Sequence, residues 1–254
     1  MNICKSALSI AITTALCSFP SLSQANTPDD IEHITVTSSF KKQSLAQVPT
    51  SVAVIDQQQI NDQAIQHFEE LITGVANLNF SGGTSRPKYL QIRGVGERSE
   101  YRGAPNASVG FIVDDINLSG LGMAASMYDV QQVEVLRGPQ GARFGANALA
   151  GLVYIKSNDP SQTPEHGFKA TVGNDDLFTL AGYSSGAISD DLSYRVSLEQ
   201  HQQNGYRDNI YLGQDDTNAI DEFSGKFKLR YLANDDLTID LTYLFADNDN
   251  GFDA

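Results

Sequence analysis

VEVLRGPQGARFGANALAGLVYIKS, residues 133–157, joins two apolar runs, Val133–Leu136 and Leu152–Ile155, through a segment punctuated by Gly138, Pro139, Gly141, Gly145 and Gly151. Each run has the length and residue types of a short buried strand. A strand running into glycines can cradle a phosphate at a helix N-terminus, which would make the protein a nucleotide enzyme. It can equally be a compact corner where backbone segments pass so close that only glycine fits. The stretch has neither G-x-G-x-x-G spacing nor a Gly-Lys-Ser/Thr ending. The phosphate reading therefore fails and the compact corner stands.

Upstream of this corner the signals alternate between strands and short helices. Val52–Ile55 reads as a strand, and Asp56 is a plausible N-cap for a short helix through Ile60. A second short helix fits Phe68–Thr73, ended by Gly74. Leu78–Phe80, Leu90–Gly94 and Val109–Val113 read as strands, the last running into an Asp114-Asp115 turn. Residues 48–160 thus read as a small α+β domain with a mixed sheet and long polar, glycine-rich connections.

Downstream the period changes to two. Leu192, Tyr194, Val196 and Leu198 alternate with Ser193, Arg195, Ser197 and Glu199. Phe223, Phe227, Leu229 and Tyr231 alternate with Ser224, Lys226, Lys228 and Arg230, and Leu237, Ile239, Leu241, Tyr243 and Phe245 share one face. Gly167–Gly173 and Leu177–Ile188 are weaker strands. Ser189–Asp191 and Asn234–Asp236 are tight turns, and Asn204–Ile220 is a long polar loop between them. Segments of about ten residues with one apolar face, joined by turns of alternating length, suit a transmembrane β-barrel. Arg195, Lys226 and Arg230 then point into its lumen. A soluble β-sandwich predicts similar alternation, so the pattern alone leaves both open.

The N-terminus carries an export signal. Lys5 precedes the apolar run Ala7–Phe19, which is too short to span a bilayer, and small residues stand at Ser23 and Ala25. Cleavage is expected between Ala25 and Asn26. Both cysteines, Cys4 and Cys17, fall in the removed segment 1–25, which leaves no thiol chemistry. Residues 26–47 are polar and read as a flexible tail, broken by the β-prone island Ile34-Thr35-Val36-Thr37. An extended, proline-free tetrapeptide of this kind suits addition to another protein's sheet edge.

The net charge of −14, with no concentration of Lys or Arg, argues against nucleic acid as a partner. No apolar run reaches the ~18 residues of a transmembrane helix, which leaves β-barrels open. Gly182-Tyr183-Ser184-Ser185-Gly186 matches a hydrolase nucleophile-elbow pattern, but it sits in an alternating strand with no helix after it. His33, His67, His166 and His201 sit in no metal-ligand spacing, and no cofactor is expected. Arg93 and Arg137 precede glycines at strand ends and read as members of structural ion pairs.

Taken in order, VPTSVAVIDQQQI (48–60), LQIRGVG (90–96), VGFIVDDINLS (109–119) and YDVQQVEVLRGPQGARFGANALAGLVYIKSNDP (128–160) resemble the plug domain of TonB-dependent outer-membrane receptors. The resemblance implies a plug at 48–160 followed at 165–254 by the first strands, about five, of an antiparallel transmembrane β-barrel. Ile34, Thr35, Val36 and Thr37 lie where the family carries its TonB box, the handle for the TonB protein of the inner-membrane energy-transducing complex. The family takes up scarce ligands, most often ferric siderophores, without catalytic turnover. Arg86, Arg98, Tyr101, Arg102 and Tyr128 are the plug-loop candidates for ligand contact, because cations and aromatics suit an anionic, ring-bearing chelate. The expected partners are the TonB protein, a small-molecule iron chelate and outer-membrane lipid, with the receptor a monomer. Five strands cannot close around a plug, so the chain is expected to be a truncated piece of a longer receptor. The alternative function is a soluble periplasmic plug-like module that competes for TonB.

Overall fold

The computed structural model describes residues 35–36, 43–44, 48–82, 86–99, 107–120 and 125–251. The export segment with its Ala25–Asn26 site lies outside these residues, as do Ile34, Thr37, Tyr101 and Arg102. Among the described residues no helix is long and apolar enough to cross a membrane.

The α+β domain is built on one mixed sheet. Its strands are β3 (Ser51–Asp56), β6 (Val109–Val113), β7 (Ile116–Asn117), β8 (Val130–Arg137) and β9 (Gly151–Ser157), in the order β3-β8-β9-β6-β7. Only the β6–β9 pair is parallel. A separate hairpin joins β4 (Leu78–Gly82) to β5 (Pro87–Ile92). The helices form where their caps allow. Asp56 Oδ1 accepts from Gln59 N at 2.8 Å and starts α1 (Gln57–Asp62). His67 Nδ1 accepts from Glu69 N at 3.3 Å and starts α2 (Phe68–Ile72). The helices bury Ile60, Phe68, Leu71 and Ile72 against Phe111, Val133, Val135 and Val153 of the sheet. Phe68 and Phe111 meet edge to face at 5.3 Å.

The opening stretch is a compact corner, but its glycines act for different reasons. A short helix that the sequence does not announce, α3 (Gly141–Phe144), and one 3₁₀ turn, Gly145–Asn147, connect β8 to β9. Gly138 and Gly145 adopt φ of +118° and +74°, where a side chain is strained. Gly151 is the position of close approach. A Cβ there would lie 2.5 Å from both Ile92 Cδ1 and Leu136 O. Because Leu136 O belongs to a ladder and cannot yield, Gly151→Ala should lower stability by about 1–3 kcal/mol, read from the urea midpoint at constant slope. Gly141→Ala, with nothing within 4 Å, should be close to neutral.

The C-terminal part is a five-stranded antiparallel sheet in sequential order: β10 (Glu165–Val172), β11 (Phe178–Ser189), β12 (Leu192–Gln203), β15 (Ile220–Asn234) and β16 (Leu237–Asn248). The expected long loop between β12 and β15 carries a small hairpin of its own, β13 (Arg207–Asn209) with β14 (Gln214–Thr217). Its polar composition hides it from a hydrophobic-period reading. The alternation of the large sheet is inverted relative to a soluble protein. Ser193, Arg195, Ser197, Glu199 and His201 of β12 are buried, while Leu198 is 48% exposed. On β16, Leu237, Ile239, Leu241, Tyr243 and Phe245 are all exposed, Tyr243 at 62%. A β-sandwich buries its apolar set against a second sheet. This sheet turns its polar set toward the α+β domain and its apolar set outward, which is the barrel alternative.

Candidate functional site

The described part of the Ile34–Thr37 island is strand β1 (Thr35–Val36). It pairs antiparallel with β2 (Gln43–Ser44), with Thr35 opposite Ser44 and Val36 opposite Gln43. Gln132 Nε2, on β8, donates to Thr35 O at 3.0 Å, and Val36 is 0% exposed. A loose tail is not what these two residues show. They are docked on their own chain, because Val36 gains from burial and Gln132 supplies the donor that Thr35 O would otherwise take from water. Nothing in the island's composition announces Gln132, which lies 97 residues away in sequence.

The second site is the seam between the α+β domain and the polar face of the large sheet. Lys228 on β15 is its hub. Its ammonium donates to Asp114 Oδ1 at 3.4 Å, Ser157 Oγ at 3.2 Å and Asp159 Oδ1 at 3.3 Å. Asp114 also accepts from Ser157 N at 2.9 Å, while Asp115 accepts from the Tyr154 hydroxyl at 2.9 Å. The two aspartates point apart, as neighbours in a tight turn must. Both have positive φ, 46° and 66°, the backbone of a two-residue hairpin turn where Asn-Gly would be easier. Retaining two carboxylates there makes sense only because each has a partner. Burial and the nearby Asp115 carboxylate push the Tyr154 hydroxyl far up, so it stays a donor.

Next along the seam, Arg195 grips Asp129 with two bonds, Nε to Oδ2 at 2.8 Å and Nη2 to Oδ1 at 2.6 Å. It also reaches Glu165 at 3.3 Å and lies 4.3 Å from the Tyr183 ring centroid. Lys226 donates to Tyr128 O at 2.7 Å. The inward direction read from the alternation is therefore the observed one for Arg195 and Lys226, and the side of the sheet is occupied by the α+β domain. Arg230 pairs with Asp240 at 2.7 Å and with Asp159 at 3.4 Å.

The ligand-contact candidates separate. Arg86 lies in the seam, with Nε and Nη2 each 2.8 Å from a Glu222 oxygen and Nη1 bonded to Glu69. A guanidinium held by two carboxylates is not available to an incoming anion, so Arg86 pins α2 and the β4–β5 hairpin to β15. Burial raises the Glu69 carboxyl, more than Arg86 beside it lowers it. Tyr128 also turns inward. Its hydroxyl is buried with no hydrogen-bond partner among the described residues, and burial, reinforced by the charge of Asp129, pushes it up to about 12. Arg98 is exposed. Arg137, expected in an ion pair, instead donates to Ala76 O at 3.0 Å and Ser51 Oγ at 3.4 Å. Arg93 is exposed with φ of +53°, its N–H bonded to Asn77 O, so it shapes a turn.

Ser184 of the elbow-like pentapeptide lies within 3.1 Å of His166 Nδ1 and 2.9 Å of the Tyr194 hydroxyl. Sequence order hid His166, which faces Ser184 directly across β10–β11. The strand is paired on both sides, so its N–H groups are spent in ladders and none is free to hold an oxyanion.

The seam predicts its own acid sensitivity. Burial pushes the Asp159 carboxyl up, but Lys228, Lys156 and Arg230 together hold it below the ordinary 3.8. A depressed carboxyl contributes stability that is present above its unfolded pKa and lost as pH falls through the folded value. Asp159→Asn should therefore lower the urea midpoint at pH 7, and the gap to the unchanged protein should close as the pH is taken below 3.8.

Residues 44–152 match the family model described as the TonB-dependent Receptor Plug Domain. The pesticin receptor of Yersinia pestis is 28% identical over 221 residues, covering 85% of this chain and 32% of the relative. The vitamin B12 transporter BtuB of Vibrio vulnificus strain YJ016 is 25% identical over 215 residues, 81% of this chain and 33% of the relative. The chain thus spans about a third of the length of the curated relatives it matches. The crystal structure of the ferric yersiniabactin uptake receptor FyuA from Yersinia pestis superposes with TM-score 0.65 at 26% identity, covering 78% of this chain and 31% of that one. The pyoverdine outer membrane receptor FpvA from Pseudomonas aeruginosa PAO1 superposes at 0.69 over 85% of this chain and 30% of that one, with 16% identity, a likeness of fold.

Proposed function

We propose, because the chain carries the plug domain of a TonB-dependent receptor, that it belongs to an outer-membrane receptor that takes up a scarce ligand, a ferric siderophore or similar iron complex. The observation that carries this reading is the inverted sheet. An apolar outward face needs hydrocarbon around it, and a polar inward face needs the plug that covers it. Ile34–Thr37 is the handle for the TonB protein, which adds its own strand to it from the periplasm. The short turns Ser189–Asp191 and Asn234–Asp236 face the periplasm, and the β13–β14 hairpin faces outward. Ligand contacts from the plug fall to Arg98, Tyr101 and Arg102. The protein carries no reaction through a covalent step; pull on the handle shifts the plug against the seam.

Two measurements test this. Membrane fractionation should place the chain in the outer-membrane pellet, and recovery in the periplasmic supernatant would instead support a soluble module that competes for TonB. Cells lacking the receptor should lose growth on one ferric chelate as sole iron source. Loss of cobalamin-dependent growth with iron use intact would move the ligand class to corrinoids.

A further inference from the structure

The outward face of the large sheet is not evenly apolar. Between β10, β11 and β12 it is hollowed into a groove of about 450 Å³, lined by Phe168, Leu180, Gly182, Val196, Leu198 and Phe223. The hollow exists because Gly182 stands opposite Phe168 on one side and Leu198 on the other, with no side chain of its own. A Cβ on Gly182 would have only Gly167 O near it, at 3.5 Å. The groove is open to its surroundings along its length, with Phe168 on its wall 75% exposed. From Leu180 to Ser184 the groove follows the strand for about 13 Å, which at a barrel strand's tilt of about 40° spans about 10 Å of the ~15 Å hydrocarbon depth of one leaflet.

Gln200 stands beside Leu180 at one end of the groove, and the other end carries a polar row. His166, Ser184 and Tyr194 share this outward face and form a hydrogen-bonded row, His166 Nδ1 to Ser184 Oγ at 3.1 Å and Ser184 Oγ to the Tyr194 hydroxyl at 2.9 Å. The row lies on the side of the Ser189–Asp191 turn. Groups that hydrogen-bond on a lipid-facing surface belong at the headgroup level, where amphipathic rings also collect. The neighbouring turn brings exposed Asp190 and Asp191. That field repels an anionic headgroup and suits one that carries an ammonium group beside its phosphate.

We infer that this groove seats one acyl chain of a zwitterionic phospholipid, with its headgroup at the His166–Ser184–Tyr194 row. The inference rests on the membrane-embedded reading above. A flat lipid-facing surface exchanges its lipids freely, whereas a groove flanked by Phe168 and Leu198 contacts one chain from both sides and retains it through extraction.

Native mass spectrometry of the receptor, taken from outer membranes in a mild non-ionic detergent, tests this directly. One phospholipid adduct of zwitterionic mass is expected to survive detergent exchange. Gly182→Leu fills the groove and should abolish the adduct. Phe168→Ala opens one wall without adding bulk and should also abolish it. Ala170→Leu adds nearly as much bulk on the same face at a position that does not line the groove and should leave the adduct in place. An adduct that persists in Gly182→Leu, an adduct of acidic phospholipid mass, or unchanged protein recovered from membranes without any adduct each overturns the inference alone. Absence of the unchanged protein from the membrane fraction overturns it together with the membrane reading.

Discussion

On the proposed receptor reading, Val36→Pro is expected to reduce energised uptake to the background of a strain without TonB, while ligand binding to whole cells stays unchanged. Proline removes the N–H that a strand added to Ile34–Thr37 must receive as a donor, and it fixes φ near −65° where an extended strand sits closer to −120°. With only two to four residues in the proposed handle, one lost ladder bond is a large fraction of its affinity. Val36→Thr keeps the N–H and the β-branched shape and should keep most uptake. The docked geometry adds a complication that can be separated by measurement. Val36 is fully buried on its own chain and Thr35 O accepts from Gln132. Proline therefore also disturbs this docking, which by itself would expose the handle. Gln132→Leu disturbs the docking without touching the handle. Uptake that is lost in Val36→Pro and kept in Gln132→Leu assigns the loss to the handle. Equal loss in both would assign it to the docked form, and unchanged uptake in Val36→Pro would remove the handle from Ile34–Thr37.

How much of this was legible in the sequence depends on what each signal measures. Periodicity reports the face of a side chain and says nothing of its height along the strand. It therefore gave the inward direction of Arg195, Lys226 and Arg230 but not their partners across the seam, Asp129, Tyr128 and Asp159, which lie 66 to 98 residues away. Caps are local, so Asp56 correctly announced α1. The helix α3 has no side-chain cap hydrogen bond and only four residues, and it left no trace in the pattern. Arg86 looked like a ligand contact because it sits in a polar, glycine-rich connection. Its two carboxylate partners come from α2 and from β15, 17 and 136 residues away, and no composition argument reaches them. Asp114-Asp115 was readable as a turn. The further clue was that two carboxylates occupy positions of positive φ where glycine or asparagine would be less strained, which signals that something holds them.

Arg195→Leu is the substitution expected to damage the seam most. The Arg195 side chain is 6% exposed and that of Asp129 3%, so both charges have been taken out of water and compensate each other. Removing the guanidinium leaves Asp129 with Asn158 Nδ2, at 2.8 Å, as its remaining side-chain donor among the described residues. A buried carboxylate stripped of its counter-charge costs about 3–5 kcal/mol, larger than the loss of a surface pair by several fold. Asp129→Asn should cost less, because Arg195 keeps Glu165 at 3.3 Å and asparagine tolerates the φ of +57° at this position. The double variant removes both charges, and its cost should fall well below that of Arg195→Leu alone, a coupling read from the four urea midpoints at constant slope. If the double variant is as unstable as the sum of the singles, the bidentate pair contributes nothing through its charge, and the seam is held by packing and by Lys228. Function should follow the same order. On the proposed receptor reading, a seam weakened in Arg195→Leu lets the plug loosen without being pulled, so cells carrying it should become sensitive to bulky antibiotics that the outer membrane normally excludes, and the double variant should restore resistance.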